Sequence, residues 1–437
     1  MPGSTGVVCV WGALEAWGAM SQASTPNRRD FLKKTAVAGA GLMTAGAQRA
    51  ASASASDRIN VGVIGCGGMG NAHLSTLLRL RKDGLVNIVA VCDVFTKRLD
   101  AAAARTGAKP YKVWTDVIAA KGIDTLSIAT PDHWHAPMCI AAAKAGKDIY
   151  CEKPMTHWQH LDLAKQVVDA VAANNRVMQV GTQFMSDDVW DLAKANLGKL
   201  GKPIHVQSTD CRNGAIGCYS PKSNDPAAVP GKTLDWDMWL GTETTRAPKR
   251  PYEPGRFFAF RSFWDYSGGV GTDFFPHILT PWVKVLDLGF PKRVVQAGGR
   301  YFWDDGREVA DIVNMCIDYA GGPTVAVLAS LATEQNLPWL IRGQRAAFEF
   351  SGPSSPLKIL PEKAAGGGKP TEIKGQRRWS LDNHYRDFFD CVKSRKKPRS
   401  HEVFGYRVMA ALSAGIRSYR SGKAMTFDEK TGEVRAL

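Results

Sequence analysis

Cysteine is scarce in this chain and placed without pattern. The nine cysteines among 437 residues form no CxxC pair and no Cys/His run at metal-ligand spacing, so neither a zinc finger nor a zinc ribbon is encoded. Their odd number argues against a disulfide framework, although Cys211 and Cys218 are close enough in sequence to pair in an oxidising compartment. Cys66, Cys92, Cys139 and Cys151 fall in apolar contexts and read as buried thiols. Long hydrophobic runs are missing too. The apolar stretch at residues 35–47 is too short and too glycine-rich to anchor the chain in a membrane. Acidic residues are in deficit, 41 against 56 basic, for a formal charge of +15, yet the basic side chains are dispersed. The densest cluster beyond the N-terminal region, Arg395-Lys396-Lys397 with Arg399, lies between two helical patterns and reads as a solvated loop, not a nucleic-acid surface. No internal repeat is present.

The first 56 residues read as a twin-arginine export signal and its linker. Arg28-Arg29 is followed by Phe31-Leu32-Lys33-Lys34, the apolar stretch and the small-residue sites Ala45-Gly46-Ala47 and Ala53-Ser54-Ala55. Residues 1–19 fit no part of such a signal, and Met20 reads as the start. Localisation is therefore expected to be periplasmic or otherwise outside the inner membrane, with the twin-arginine translocase as a transient partner and no stable anchor. That route carries folded proteins, so a cofactor can be loaded before export and must then be tightly bound. About 380 residues remain, enough for two domains.

From residue 57 the pattern alternates strand and helix. Strands are expected at 59–64, 86–92, 123–129, 148–151 and 177–180, with helices at 71–80, 137–145 and 161–173. This is the pattern of a Rossmann dinucleotide-binding domain over 57–182, within an α/β chain. Between the first strand and helix stands Gly65-Cys66-Gly67-Gly68-Met69-Gly70. Gly65 makes the turn, Gly67 lets the backbone approach a pyrophosphate and Gly70 permits close helix packing, with Gly68 and Met69 completing the cofactor-binding loop. Asp93, 23 residues beyond Gly70 at the tip of the second strand, suits the adenosine ribose hydroxyls and favours NAD by repelling a 2′-phosphate. Lys97 and Arg98 weaken that preference, so NADP stays open. The next two strand tips carry Thr130-Pro131-Asp132-His133-Trp134-His135 and Glu152-Lys153-Pro154.

With these motifs, and with Gly268-Gly269, Asp273 and His277 further on, the chain resembles the glucose-fructose oxidoreductase / inositol dehydrogenase / rhizopine-catabolism (Gfo/Idh/MocA) family. The resemblance implies that Thr130, Pro131, His135, Glu152 and Lys153 border the cofactor. It also implies that Lys153, Asp273 and His277 are catalytic, with His277 as proton acceptor and Asp273 orienting it or the substrate. Spacing of four puts Asp273 and His277 on one helical face. Phe275 and Thr280 stand where the family usually has Gly and Asp, which leaves the substrate open. Arg261, Trp264 and Tyr266 offer a cation, a stacking ring and a phenol to a sugar, although Trp264 and Tyr266 fit a core equally well.

Residues 183–380 read as an α+β substrate and oligomerisation domain with an open, largely antiparallel sheet, including strands at 204–210, 293–298, 312–319, 324–331 and 346–350. Family relatives commonly associate through this sheet, so a homo-oligomer is expected. Residues 381–437 read as amphipathic helices that return to the nucleotide domain and bury Tyr385, Phe388, Phe389 and Val392. The expected function is an exported NAD(P)-dependent oxidoreductase acting on a secondary alcohol of a sugar or cyclitol, without a metal. A glycoside-cleaving enzyme that oxidises, eliminates and reduces on bound NAD, and a non-catalytic sugar-binding protein, are the alternatives.

Overall fold

The computed structural model describes residues 58–214 and 219–437. The expected export signal and Cys218 lie outside the described residues. Cys66, Cys92, Cys139, Cys151 and Cys211 are buried free thiols. Among the described residues, no helix is long and apolar enough to cross a membrane.

The first half is a six-stranded parallel sheet in the order β3-β2-β1-β4-β5-β6. Its strands are β1 (Ile59–Ile64), β2 (Val86–Cys92), β3 (Lys109–Tyr111), β4 (Thr125–Ile128), β5 (Asp148–Glu152) and β6 (Met178–Gly181). Helices α1 (Gly68–Lys82), α2 (Thr96–Thr106), α3 (Trp114–Ala119), α4 (Asp132–Lys144) and α5 (Leu161–Ala173) connect them. The sheet is covered on both faces, and β4 and β5 are buried at every position, their polar residues Thr125, Ser127, Asp148 and Glu152 included. Strand order reverses between β1 and β4, so the chain leaves the sheet in opposite directions there and opens a crevice at the strands' carboxyl ends. The glycine loop follows β1 and Thr130-Pro131 follows β4, which places both motifs on that crevice. Helix α4 begins five residues before the expected 137. Pro131 ends the extended segment at the N-cap, and Pro137 sits inside the helix instead of opening it.

The second half is built on a ten-stranded sheet, β14-β13-β12-β11-β7-β10-β9-β8-β15-β16. It comprises β7 (Pro203–Cys211), β8 (Pro291–Gly299), β9 (Ile312–Tyr319), β10 (Thr324–Ser330), β11 (Trp339–Gly343), β12 (Ala346–Phe350), β13 (Leu357–Pro361), β14 (Thr371–Ile373), β15 (Met425–Asp428) and β16 (Glu433–Ala436). Only β7 and β10 pair in parallel; every other pairing is antiparallel. Burial alternates along β9 and β10, as it does when one sheet face meets helices and the other does not. A short helix α6 (Val270–Asp273) runs into α7 (Phe275–Leu286), which packs on β7 and β10.

Two long helices close the chain. Tyr385, Phe388 and Phe389 of α8 (Leu381–Ser394) join the core cluster around Leu74, Leu77 and Tyr150, and Tyr385 stacks on Tyr150 with ring centroids 4.2 Å apart. Val392 packs against the edge of that cluster. Helix α9 (Glu402–Ser421) differs from expectation, because it packs on β8 and α7 as well as on α5. The residues after it form β15 and β16, so the final segment serves both halves.

Candidate active site

The glycine loop is shaped by its own backbone. Gly65 has φ +89°, a region that favours glycine, and a Cβ there would lie 2.6 Å from the Ala129 carbonyl oxygen. A Cβ at Gly70 would overlap the carbonyl oxygen of Gly65. Gly68 differs: a Cβ there would meet nothing within 4 Å. The N-cap of α1, Gly67, supplies no side-chain hydrogen bond to the first turn. Open amides at a helix N-terminus, lined by a backbone that a ligand can approach, form a natural anion site. They face a cleft holding about 1080 Å³ of open space, bordered by Gly65, Gly67, Gly68 and Met69.

Asp93 also lines the cleft, yet both carboxylate oxygens already accept backbone N–H groups, from Cys66 at 2.8 Å and Phe95 at 2.8 Å. Asp93 therefore ties the glycine loop to the β2 tip in addition to the ribose role expected of it. Burial raises its pKa, an effect that nearby Arg98 and the two N–H donors oppose. Thr130, Pro131 and Glu152 line the same cleft, so the residues present fit a dinucleotide laid across the switch point.

His135 stands apart from that group. Its Nδ1 is 2.6 Å from the Pro154 carbonyl oxygen and its Nε2 is 2.8 Å from that of Thr130, so the buried ring braces the two tips from behind. Glu152 is held by His73 Nε2 at 2.9 Å and Gln183 Nε2 at 2.7 Å. His73 Nδ1 in turn meets Ser127 Oγ, which is 2.6 Å from the Tyr385 hydroxyl. His73 and Gln183 carry no motif signal. The first lies on an ordinary helical stripe and the second in a short 3-10 turn, and only the packed chain brings them to Glu152.

Beyond Glu152 the two halves meet. Lys153 Nζ donates to the Asp273 carboxylate, and to the Asp273 carbonyl oxygen at 2.6 Å. The same carboxylate accepts from Arg261 Nε at 2.8 Å and from the Tyr219 hydroxyl. Burial alone would raise the pKa of Asp273, but Lys153, then Arg261, outweigh it and hold the carboxyl well below its usual range. Arg261 lines the cleft and lies over the rings of Phe260 and Tyr219.

His277, in the first turn of α7, makes no hydrogen bond to Asp273, because the helix is interrupted at Phe274 and Asp273 turns to Lys153. Of the two roles expected of Asp273, orienting His277 or the substrate, the first is corrected: its carboxylate is bonded to Lys153 instead. His277 Nδ1 is enclosed without a partner among the described residues, which leaves Nε2 as the nitrogen open to a ligand. Burial, then the neighbouring Lys153 charge, push its pKa down to about 3, so the imidazole is neutral and its ring lone pair unprotonated.

This depression carries a stability prediction. The native pKa lies below the ordinary 6.5, so the unfolded chain binds more protons between those values. The stability of neutral His277 is complete above 6.5 and is lost as pH falls towards 3. Lowering pH from 7 to 4.5 should therefore shift the stability difference in favour of His277→Gln over wild type, by up to about 2 kcal/mol. Urea denaturation at the two pH values measures this, and a difference that does not change contradicts a neutral His277.

Two expected sugar contacts are corrected. Tyr266 is fully buried and packs on Trp239 at 4.8 Å and His133 at 5.3 Å, as part of an aromatic core that also holds Phe257 and Trp236. Trp264 packs on Trp158, with Arg420 over its ring, and its carbonyl oxygen accepts from His157 and from Trp158. Neither lines the cleft. Aromatic residues in a polar stretch suit a sugar platform and a local core equally well; here a core takes Tyr266, and Trp264 is half-buried against Trp158, away from the cleft.

The described residues contain no group of three or more His, Cys, Asp or Glu close enough to hold a metal ion. Comparison with known proteins identifies both halves. Residues 59–182 match the model of an oxidoreductase family with an NAD-binding Rossmann fold, and residues 188–341 match that family's C-terminal alpha/beta domain. An inositol 2-dehydrogenase from Rubrobacter xylanophilus is 39% identical over 152 residues, 34% of this chain and 43% of the relative. A glycosyl hydrolase family 109 protein from Shewanella pealeana is 28% identical over 216 residues, 42% of this chain and 45% of the relative. The chain thus spans about half the length of the curated relatives it matches. The WlbA dehydrogenase from Bordetella pertussis, solved with NADH and UDP-GlcNAcA, shares the fold at a TM-score of 0.63 and 20% identity, over 85% of this chain and 99% of that one.

Proposed function

The chain belongs to the Gfo/Idh/MocA oxidoreductase family, and from that premise we propose that it is an NAD(P)-dependent oxidoreductase acting on a secondary alcohol of a sugar, sugar derivative or cyclitol. The observation that carries this reading is the junction of Lys153, Asp273 and Arg261, which Arg261 and the neighbouring Glu152 join to the dinucleotide cleft, with a neutral His277 three residues beyond Phe274. The glycine loop, Asp93, Thr130-Pro131 and Glu152 would hold the dinucleotide, with NAD favoured over NADP. When bound, it supplies a hydride acceptor.

The protein's own groups do the rest. His277 Nε2 takes the hydroxyl proton as the C–O bond gains carbonyl character. Lys153 Nζ donates to the substrate oxygen, where negative charge develops, and Asp273 holds that ammonium in position. Arg261, tethered through Asp273, offers its remaining N–H donors to a neighbouring hydroxyl. The relative named inositol 2-dehydrogenase supports a cyclitol or sugar ring as substrate.

The proposal includes export by the twin-arginine route, on the strength of Arg28-Arg29 and the apolar stretch behind it, and assembly into a homo-oligomer through the open sheet. An exported enzyme needs its cofactor on board, so the purified mature protein should carry about one dinucleotide per chain. Glycoside cleavage through transient oxidation and return of the hydride is the second reading, favoured by the likeness to the family 109 glycosyl hydrolase protein.

One assay separates these readings. Protein purified by its export route is offered free cyclitols and sugars, then aryl glycosides, with no cofactor added. Reduced nicotinamide formed with a free cyclitol or sugar supports the dehydrogenase, and aglycone release without net reduction supports the second reading. Neither signal, from protein that holds its dinucleotide, leaves only a sugar-binding role and rejects both.

A further inference from the structure

Asp93 and the glycine loop account for one wall of the cleft's adenosine end. The opposite wall comes from the second half of the chain. Residues 225–261 leave the ten-stranded sheet, return to the Rossmann half and are pinned on both sides of the crevice. On the β2 side, Thr96 N–H donates to the Thr233 carbonyl at 2.8 Å and Asp235 N–H donates to that of Val94 at 3.0 Å. Lys97 adds an ion pair to Asp225 at 2.6 Å. On the β4 side, Trp134 Nε1–H donates to the Trp239 carbonyl oxygen at 2.7 Å, and His133 Nε2 lies 3.0 Å from the same atom. The segment turns at once, with φ +56° at Gly241, where a Cβ would overlap the Trp134 ring. Between these anchors, Met238, Trp239, Phe257 and Phe258 line the cleft.

Arg98 faces them. Its guanidinium carbon lies 4.7 Å from the Phe257 ring centroid and 5.2 Å from that of Phe258, and it makes no ion pair among the described residues. It borders the cleft beside Gly67, where a Cβ would lie 3.4 Å from Arg98 Nη1. A cation backed by rings, with Asp93 near but no carboxylate in ion-pair contact, and bordering a cleft is suited to stacking on a purine.

Resting on the dinucleotide reading above, we infer that residues 225–261 form a roof over the adenosine half of the cleft, in which Phe258 and Arg98 grip the adenine and hold the dinucleotide in slow exchange. The roof is part of a buried aromatic core and is fastened by backbone hydrogen bonds, so release of the nucleotide requires those bonds to open. Retention during export thereby acquires a structural cause separate from the glycine loop.

The test follows NADH release from full-length mature protein, chased with excess NAD, through quenching of the tryptophans that line the cleft. Arg98→Gln and Phe258→Ala replace partly exposed side chains, and a denaturation midpoint within a few degrees of wild type shows that each has folded. Adenine stacking of ordinary strength predicts release at least about tenfold faster in each variant. Weaker inhibition by AMP, with inhibition by nicotinamide mononucleotide unchanged, assigns the loss to the adenosine end. Release at the wild-type rate from both folded variants overturns the roof while leaving the cleft a dinucleotide site. A wild-type protein that binds no NADH overturns the dinucleotide reading itself, and the roof with it.

Discussion

Lys153→Met lowers turnover on the order of a thousandfold and leaves the dinucleotide in place, as read by activity on the preferred substrate and by the cofactor released on denaturation. The expectation rests on how charge is distributed around Asp273. That buried carboxylate accepts from Lys153, Arg261 and Tyr219, so deleting the lysine still leaves it a cation and a hydroxyl donor. The fold should survive, because no buried charge is abandoned. The lost group is the one that can meet a developing oxyanion. Cofactor contacts are spared, since the glycine loop and Asp93 lie at the other end of the cleft. Lys153→Arg should not restore activity, because the wider guanidinium cannot occupy the place of the ammonium between the Asp273 carbonyl and carboxylate. A Lys153→Met enzyme with more than a tenth of wild-type turnover sinks the catalytic assignment.

Gly70→Ala abolishes dinucleotide binding. A Cβ at this position overlaps the carbonyl oxygen of Gly65, a backbone atom that no side-chain rotation can move aside. Gly65 cannot yield either, since it is itself pressed against the Ala129 backbone at a positive φ. The loop must therefore open, at a cost of at least about 2 kcal/mol, and the amides of α1 lose their common aim. Dinucleotide affinity should fall more than about a hundredfold, with a lower denaturation midpoint. Gly68→Ala is the control within the same loop. Its new methyl meets no protein atom within 4 Å, so the apo-protein should be as stable as wild type, and any loss of affinity then reports the approach of a ligand. Equal melting temperatures for Gly70→Ala and Gly68→Ala would falsify this account of the loop.

Much of the site was legible because its signals are local. Gly65 to Gly70, Asp93, Thr130-Pro131 and Glu152-Lys153 all occupy strand ends, and a parallel sheet with reversed order collects such ends at one crevice. The stripe of Tyr385, Phe388 and Phe389 was equally plain, because helical spacing makes one face apolar whatever that face later covers. The strands over 339–343 and 357–361 were missed, being short and mixed in composition, with identity conferred by pairing to β7 and β12. His73 escaped because one histidine on a helical stripe says nothing of the carboxylate it will meet 79 positions away.

The sequence by itself determined the alternation of strands and helices, the glycine loop and the residue types at the strand tips, since each depends on periodicity or on a backbone conformation that few residues adopt. Only the tertiary structure decided which side chains became partners. Asp273 turned away from His277, four residues along the same segment, to Lys153, 120 positions earlier. Tyr266 went into a core while Arg261, five residues before it, stayed on the cleft. Residues 225–261 crossed to the other half of the molecule. The physical reason is common to all three: a buried charge or ring takes the partner that best satisfies it in space, and sequence distance sets no limit once the chain is folded.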